Sequence, residues 1–97
     1  MKTTKEYINI LRNYKLTKSA EYGIIGIGIF GSVARNTHTE HSDIDICVEL
    51  SHPSLFKMVH IREDLQQLFG TNVDIIRIHP NMDEVLKHDI EKECINV

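Results

Sequence analysis

At 97 residues, with 41% apolar and 26% charged side chains, the chain has the composition of an ordinary globular protein and no room for a second core. Its net charge of −3, from 11 basic and 14 acidic residues, offers no cation excess for a polynucleotide backbone, so nucleic acid is not expected as a direct partner. Cys47 and Cys94 form neither a disulfide framework nor a zinc-finger spacing, and no apolar signal region or ~18-residue apolar run is present; the expectation is one domain over 1–97, off the membrane, in a reducing cytoplasmic setting.

The first predicted element is a helix. Tyr7, Ile10, Leu11, Tyr14 and Lys18 fall at helical spacing, Thr3 and Glu6 make a capping box, and Gly23 is the stop after Tyr22. The stretch from Leu16 to Ala20 is less periodic and leaves room for a break. Ile24–Phe30 reads as a strand buried on both faces, with Gly26 and Gly28 marking close approach of other backbone. Ser32–Arg35 follows as the first turn of a short helix, and Asn36–Ser42 as a polar loop.

Asp43–Leu50 alternates: Ile44, Ile46, Val48 and Leu50 point one way, and Asp43, Asp45, Cys47 and Glu49 the other. Pro53 and Ser54 open a helix to Phe69, carried by Leu55, Met58, Ile61, Leu65 and Leu68 and stopped at Gly70. Val73–Ile78 is a third strand. Asn81 and Glu84 cap a last helix with Met82, Val85, Leu86 and Ile90 on its inner face. The order α-β-α-β-α-β-α predicts an α/β (α+β) fold, a small mixed sheet packed by helices.

Charge is distributed unevenly along this frame. Residues 1–20 carry Lys2, Lys5, Arg12, Lys15 and Lys18 against Glu6 alone, whereas 36–56 holds Glu40, Asp43, Asp45 and Glu49 with no base. Such a stretch either faces water or awaits a cation.

Three features carry chemistry. Gly31-Ser32 stands where a buried strand meets a helix start; unpaired N–H groups and the helix dipole there suit a phosphate. Gly31 lets a ligand come close, and the Ser32 hydroxyl can donate to it. Alone, the pair equally describes a tight turn with Ser32 as N-cap. Asp43-Ile44-Asp45 puts two carboxylates on one strand face about 6.5–7 Å apart. They repel unless a cation lies between them, and oxygen ligands suit magnesium. A solvated strand end is the other reading. Asp74 lies inside an apolar strand, where Asp is depleted; it either pairs with a base such as Arg77 or joins the first two carboxylates. Three carboxylates beside a phosphate-binding turn are what two-metal phosphoryl or nucleotidyl transfer requires.

Gly31-Ser-Val-Ala-Arg35, the ten residues separating Ser32 from Asp43-Ile-Asp45, and Val73-Asp74-Ile-Ile together resemble the DNA polymerase β-like nucleotidyltransferase superfamily. More narrowly the chain looks like its minimal nucleotidyltransferase (MNT) domains, over nearly its whole length. The resemblance implies that Gly31 and Ser32 hold the triphosphate, and that Arg35 steadies the loop or approaches the phosphates. It implies that Asp43 and Asp45 bind two Mg2+ ions, and that Asp74 binds the catalytic one and helps activate the attacking hydroxyl. It further implies ATP as substrate and a HEPN-family ribonuclease toxin as partner, a toxin tyrosine receiving AMP, in a homo- or hetero-oligomer. The competing implication is a catalytically silent module that neutralises its partner by contact. One departure is Asn36, where the family usually has Gly; Asn tolerates the left-handed conformation better than most residues. His38 and His41 precede Asp43 in a His-x-x-His-x-Asp string that lacks a fourth zinc ligand, and they are read as solvated loop residues.

Overall fold

The computed structural model describes residues 1–97. Eight elements follow in order: α1 (Thr4–Tyr22), β1 (Ile24–Phe30), α2 (Gly31–Ala34), β2 (Ile44–Leu50), α3 (Leu55–Phe69), β3 (Val73–Arg77), α4 (Glu84–Glu93) and β4 (Ile95–Asn96). The strands form one mixed sheet in the order β3-β2-β1-β4. β1 is antiparallel to β2 and β4, while β2 and β3 are parallel. That parallel pair needs a crossover, and α3 supplies it. No helix is long and apolar enough to cross a membrane.

The alternation of the strands decides which face is dry. Ile27, Ile29, Ile44, Ile46, Val48 and Val73 are buried beneath α1, through Tyr7, Leu11 and Tyr14, and beneath α3, through Ile61, Leu65 and Phe69. Each fully buried aliphatic side chain contributes about 1.5–3 kcal/mol, so this layer is the main source of stability. The other face carries Gly26, Gly28 and Phe30 from β1 opposite Glu49, Cys47 and Asp45 from β2. It is covered only in part, by the end of α4, where Ile90 and Cys94 approach Cys47.

α1 begins at Thr3 with the expected reciprocal cap to Glu6 and runs unbroken through 16–20 to Gly23. Four expectations need correction. β1 is not buried on both faces, because a bulge between Ile24 and Gly26 turns Ile25 out to solvent, 56% exposed. The bulge lets Ile24 and Ile27 share the core face. Gly28 does meet neighbouring backbone, but Gly26 has open space at its Cα. Leu55 and Leu68 are exposed, since α3 buries only the stripe through Ile61, Leu65 and Phe69. The last helix is capped by Asp83 rather than Asn81; its Val85 and Leu86 face solvent, and Ile90 alone is buried. An additional strand, β4, closes the free edge of β1 through Gly28↔Asn96 and Ile29↔Ile95.

Candidate active site

The sequence-predicted carboxylates meet where β1 ends and β2 begins. Phe30 on β1 and Asp74 on β3 are both the direct Cα partners of Asp45, one on each side. In-register residues of paired strands project to the same face. Asp45 and Asp74 therefore stand side by side on the open face, away from the core. Asp43, two residues before Asp45, lies on the approach to β2 and is exposed, as is Asp74; Asp45 is half-buried.

Gly31 fixes the floor. Its φ is 75°, a conformation that L side chains rarely adopt, and a Cβ there would lie 2.1 Å from Asp45 Oδ2. The carboxylate thus rests directly on the bare backbone that leads into α2. Ser32 is not the cap of α2; that position is Phe30, which makes no side-chain cap bond. Asn36 takes φ 59°, so the left-handed turn expected of the family's usual Gly is kept.

Electrostatics mark the same spot. Burial, then the neighbouring Asp74 and Asp43 carboxylates, push the Asp45 carboxyl above its ordinary range, while Arg35 acts in the opposite sense. Arg35 does not neutralise the group by direct pairing: its guanidinium bonds to Glu93 at the end of α4. Asp74 pairs with Asp45, Asp43 lies near enough to act on it, Gly31 lies against it, and Arg35 is close enough to oppose the two acids. No three acidic, imidazole or thiol side chains are grouped closely enough to hold a metal ion by themselves. Magnesium commonly takes only one or two carboxylates, with substrate phosphates and waters completing its shell. An all-oxygen donor set in which like charges already raise one carboxyl fits such an ion.

Two supporting residues had no signal in the sequence. Thr4 Oγ1 donates to Val33 O at 2.7 Å and bonds Asn36 Oδ1 at 3.2 Å, which ties the start of α1 to the turn. Glu93 reaches Arg35 only because α4 returns across the open face. His38 is not a solvated ligand candidate: its Nε2 bonds Lys2 O at 2.9 Å and its ring packs edge-on against Tyr7. His41 is exposed.

Comparison with known proteins identifies the family and the fold. The family model described as "Nucleotidyltransferase domain" matches residues 10–97. The chain belongs to the nucleotidyltransferase-domain family. Among its relatives, the protein adenylyltransferase MntA of Thermococcus cleftensis is 37% identical over 96 residues, which cover 98% of this chain and 92% of that one. A solved candidate minimal nucleotidyltransferase superposes with a TM-score of 0.81 at 27% identity, over 99% of this chain and 97% of that one. The fold also recurs in a complex of an MNT antitoxin with a tri-AMPylated HEPN toxin of Shewanella oneidensis, with a TM-score of 0.63 at 19% identity over 92% and 68% of the two chains. Nucleotide transfer is the activity that the family's description names.

Proposed function

We propose that the chain is a magnesium-dependent protein adenylyltransferase. It moves AMP from ATP to a hydroxyl of a partner protein, a tyrosine of a HEPN-family toxin, and thereby acts as an antitoxin. The observation that carries this reading is the pairing of Asp45 with Asp74 directly above Gly31. The relative from Thermococcus, named as a protein adenylyltransferase, supports the same reading.

In this reading Asp43 and Asp45 would hold two Mg2+ ions, and Asp74 would help to hold the catalytic one. When bound, the ions neutralise phosphate charge and lower the pKa of the attacking hydroxyl. Asp74 lies on β3, an edge strand of the sheet, and is exposed to an incoming acceptor. It orients the tyrosine hydroxyl toward the α-phosphorus. A new P–O bond forms there and pyrophosphate leaves. The amides at the start of α2 and the Ser32 hydroxyl bind the departing phosphates. Gly31 keeps this floor free of a side chain, so phosphate and carboxylates approach closely. Arg35 turns its remaining donors to the phosphate oxygens.

The test is transfer of label from α-labelled ATP to the cognate HEPN toxin in magnesium buffer. Wild-type protein labels the toxin, and Asp43→Ala and Asp45→Ala do not. Toxin neutralisation without any label transfer would replace this reading with a module that acts by contact alone.

A further inference from the structure

The open face carries a second group of reactive side chains that plays no part in nucleotide transfer. Cys47 on β2 and Cys94, between α4 and β4, line one small cavity of about 150 Å³ together with Ile78, Ile90 and Asn96. Gly28 lies between the two cysteines. It is the direct strand partner of Cys47, and a Cβ on it would fall 2.5 Å from Cys94 Sγ. With no side chain on Gly28 to separate them, the two thiols share the cavity and act on one another directly. Cys94 Sγ is also 3.7 Å from Asn96 Oδ1. Contact with Cys47, added to burial, raises the Cys94 thiol well above its ordinary pKa. Neither cysteine is in a disulfide here.

We propose that Cys47 and Cys94 are an oxidative modification site that hydrogen peroxide converts to an intramolecular disulfide. One thiol reacts with the peroxide to give a sulfenic acid and water. The second thiol then attacks that sulfur, forms the S–S bond and releases a second water. The net change is two thiols and one peroxide to one disulfide and two waters. Cys47 is buried and Cys94 half-buried, so the cavity admits a small peroxide more readily than a bulky disulfide reagent. The bond would staple β2 to the junction of α4 and β4. β4 has only two paired residues, so this junction is the least secured part of the sheet. Glu93, which holds Arg35, is the residue next to Cys94 and would be fixed with it. The site stands independently of the adenylyl-transfer reading.

The experiment treats the purified chain with hydrogen peroxide under native conditions, then alkylates and measures intact mass and linked peptides. The expected product loses two hydrogens, blocks neither sulfur with alkylator, and yields one peptide pair joining residues 47 and 94 within a chain. Its melting temperature rises by several degrees and returns on reduction, because the link closes a long loop of the unfolded chain. Cys94→Ser, a half-buried and nearly isosteric change, shows neither the link nor the rise. Oxygen addition to each cysteine separately, links only between chains, or two thiols still open to alkylation would each overturn the proposal.

Discussion

Replacing Gly31 with alanine adds one methyl group at the point where β1, α2 and Asp45 meet. The new Cβ stands 2.1 Å from Asp45 Oδ2, 3.0 Å from its Cγ and 3.3 Å from its Cβ. Turning the carboxylate about the Cβ–Cγ bond frees the oxygen, and Cγ and Cβ must also give by a few tenths of an ångström. The left-handed backbone costs alanine about 1–2 kcal/mol, and the overpacking about 1–3 kcal/mol more. Gly31→Ala should therefore lose roughly 2–5 kcal/mol, a large part of the stability of a small domain. In an Asp45→Ala background the overpacking is mostly relieved and the loss falls to the backbone cost. Urea denaturation of the wild type, both single variants and the double variant gives the coupling directly. The geometry predicts a coupling of about 1–3 kcal/mol between the two sites. Costs that add to within about 0.5 kcal/mol would refute the contact on which the candidate site is built.

Asp45→Asn should abolish label transfer yet stabilise the metal-free protein at neutral pH. A carboxyl whose folded-state pKa is raised binds its proton more tightly when folded, so ionisation removes stability as pH rises through and above the ordinary carboxylate range. Asparagine escapes that penalty; the gain should appear as a small rise in melting temperature at pH 7 and vanish below about pH 4. Gly28→Ala places a Cβ 2.7 Å from Ile95 O and should displace β4, seen as faster amide exchange at residues 95–97 with α1 unaffected. Tyr14→Phe removes a 2.8 Å bond to Asp64 and should cost about 1 kcal/mol in urea denaturation, because Tyr22 also reaches that carboxylate, at 3.4 Å.

Much of the fold was legible because each long element carries its own local signal. Thr3 with Glu6, the alternation from Ile44 to Leu50, and Ser54 with Gly70 each set a boundary that packing then respects. What escaped depended on distant partners. In the run Ile24–Ile29, Gly26 stands beside the bulge that ejects Ile25, but a strand glycine equally marks close approach of backbone, so the bulge was not legible. β4 is two residues long, too short for alternation to register, and exists because β1 offers it a free edge. Leu55 and Leu68 obey helical spacing, yet they fall at the margins of the stripe that the sheet can cover. The candidate site divides in the same way. The residue types and spacing of 31, 32, 43 and 45 were visible, and so was an Asp misplaced in an apolar strand at 74. That Asp74 stands beside Asp45 depends on β3 lying parallel to β2 in one register, which no local pattern encodes. The partner of Arg35 was hidden for the same reason, since Glu93 reaches it only through the path of α4.

The account rests on three acidic groups acting on one cation site, and manganese offers a direct readout of that. Paramagnetic resonance titration of Mn2+ with a non-hydrolysable ATP analogue should show ions bound to the wild-type chain. Asp45→Asn and Asp74→Asn should each weaken that binding about tenfold or more, no less than the loss of an outer metal partner costs. Undiminished binding by Asp74→Asn would contradict the shared site and with it the catalytic reading.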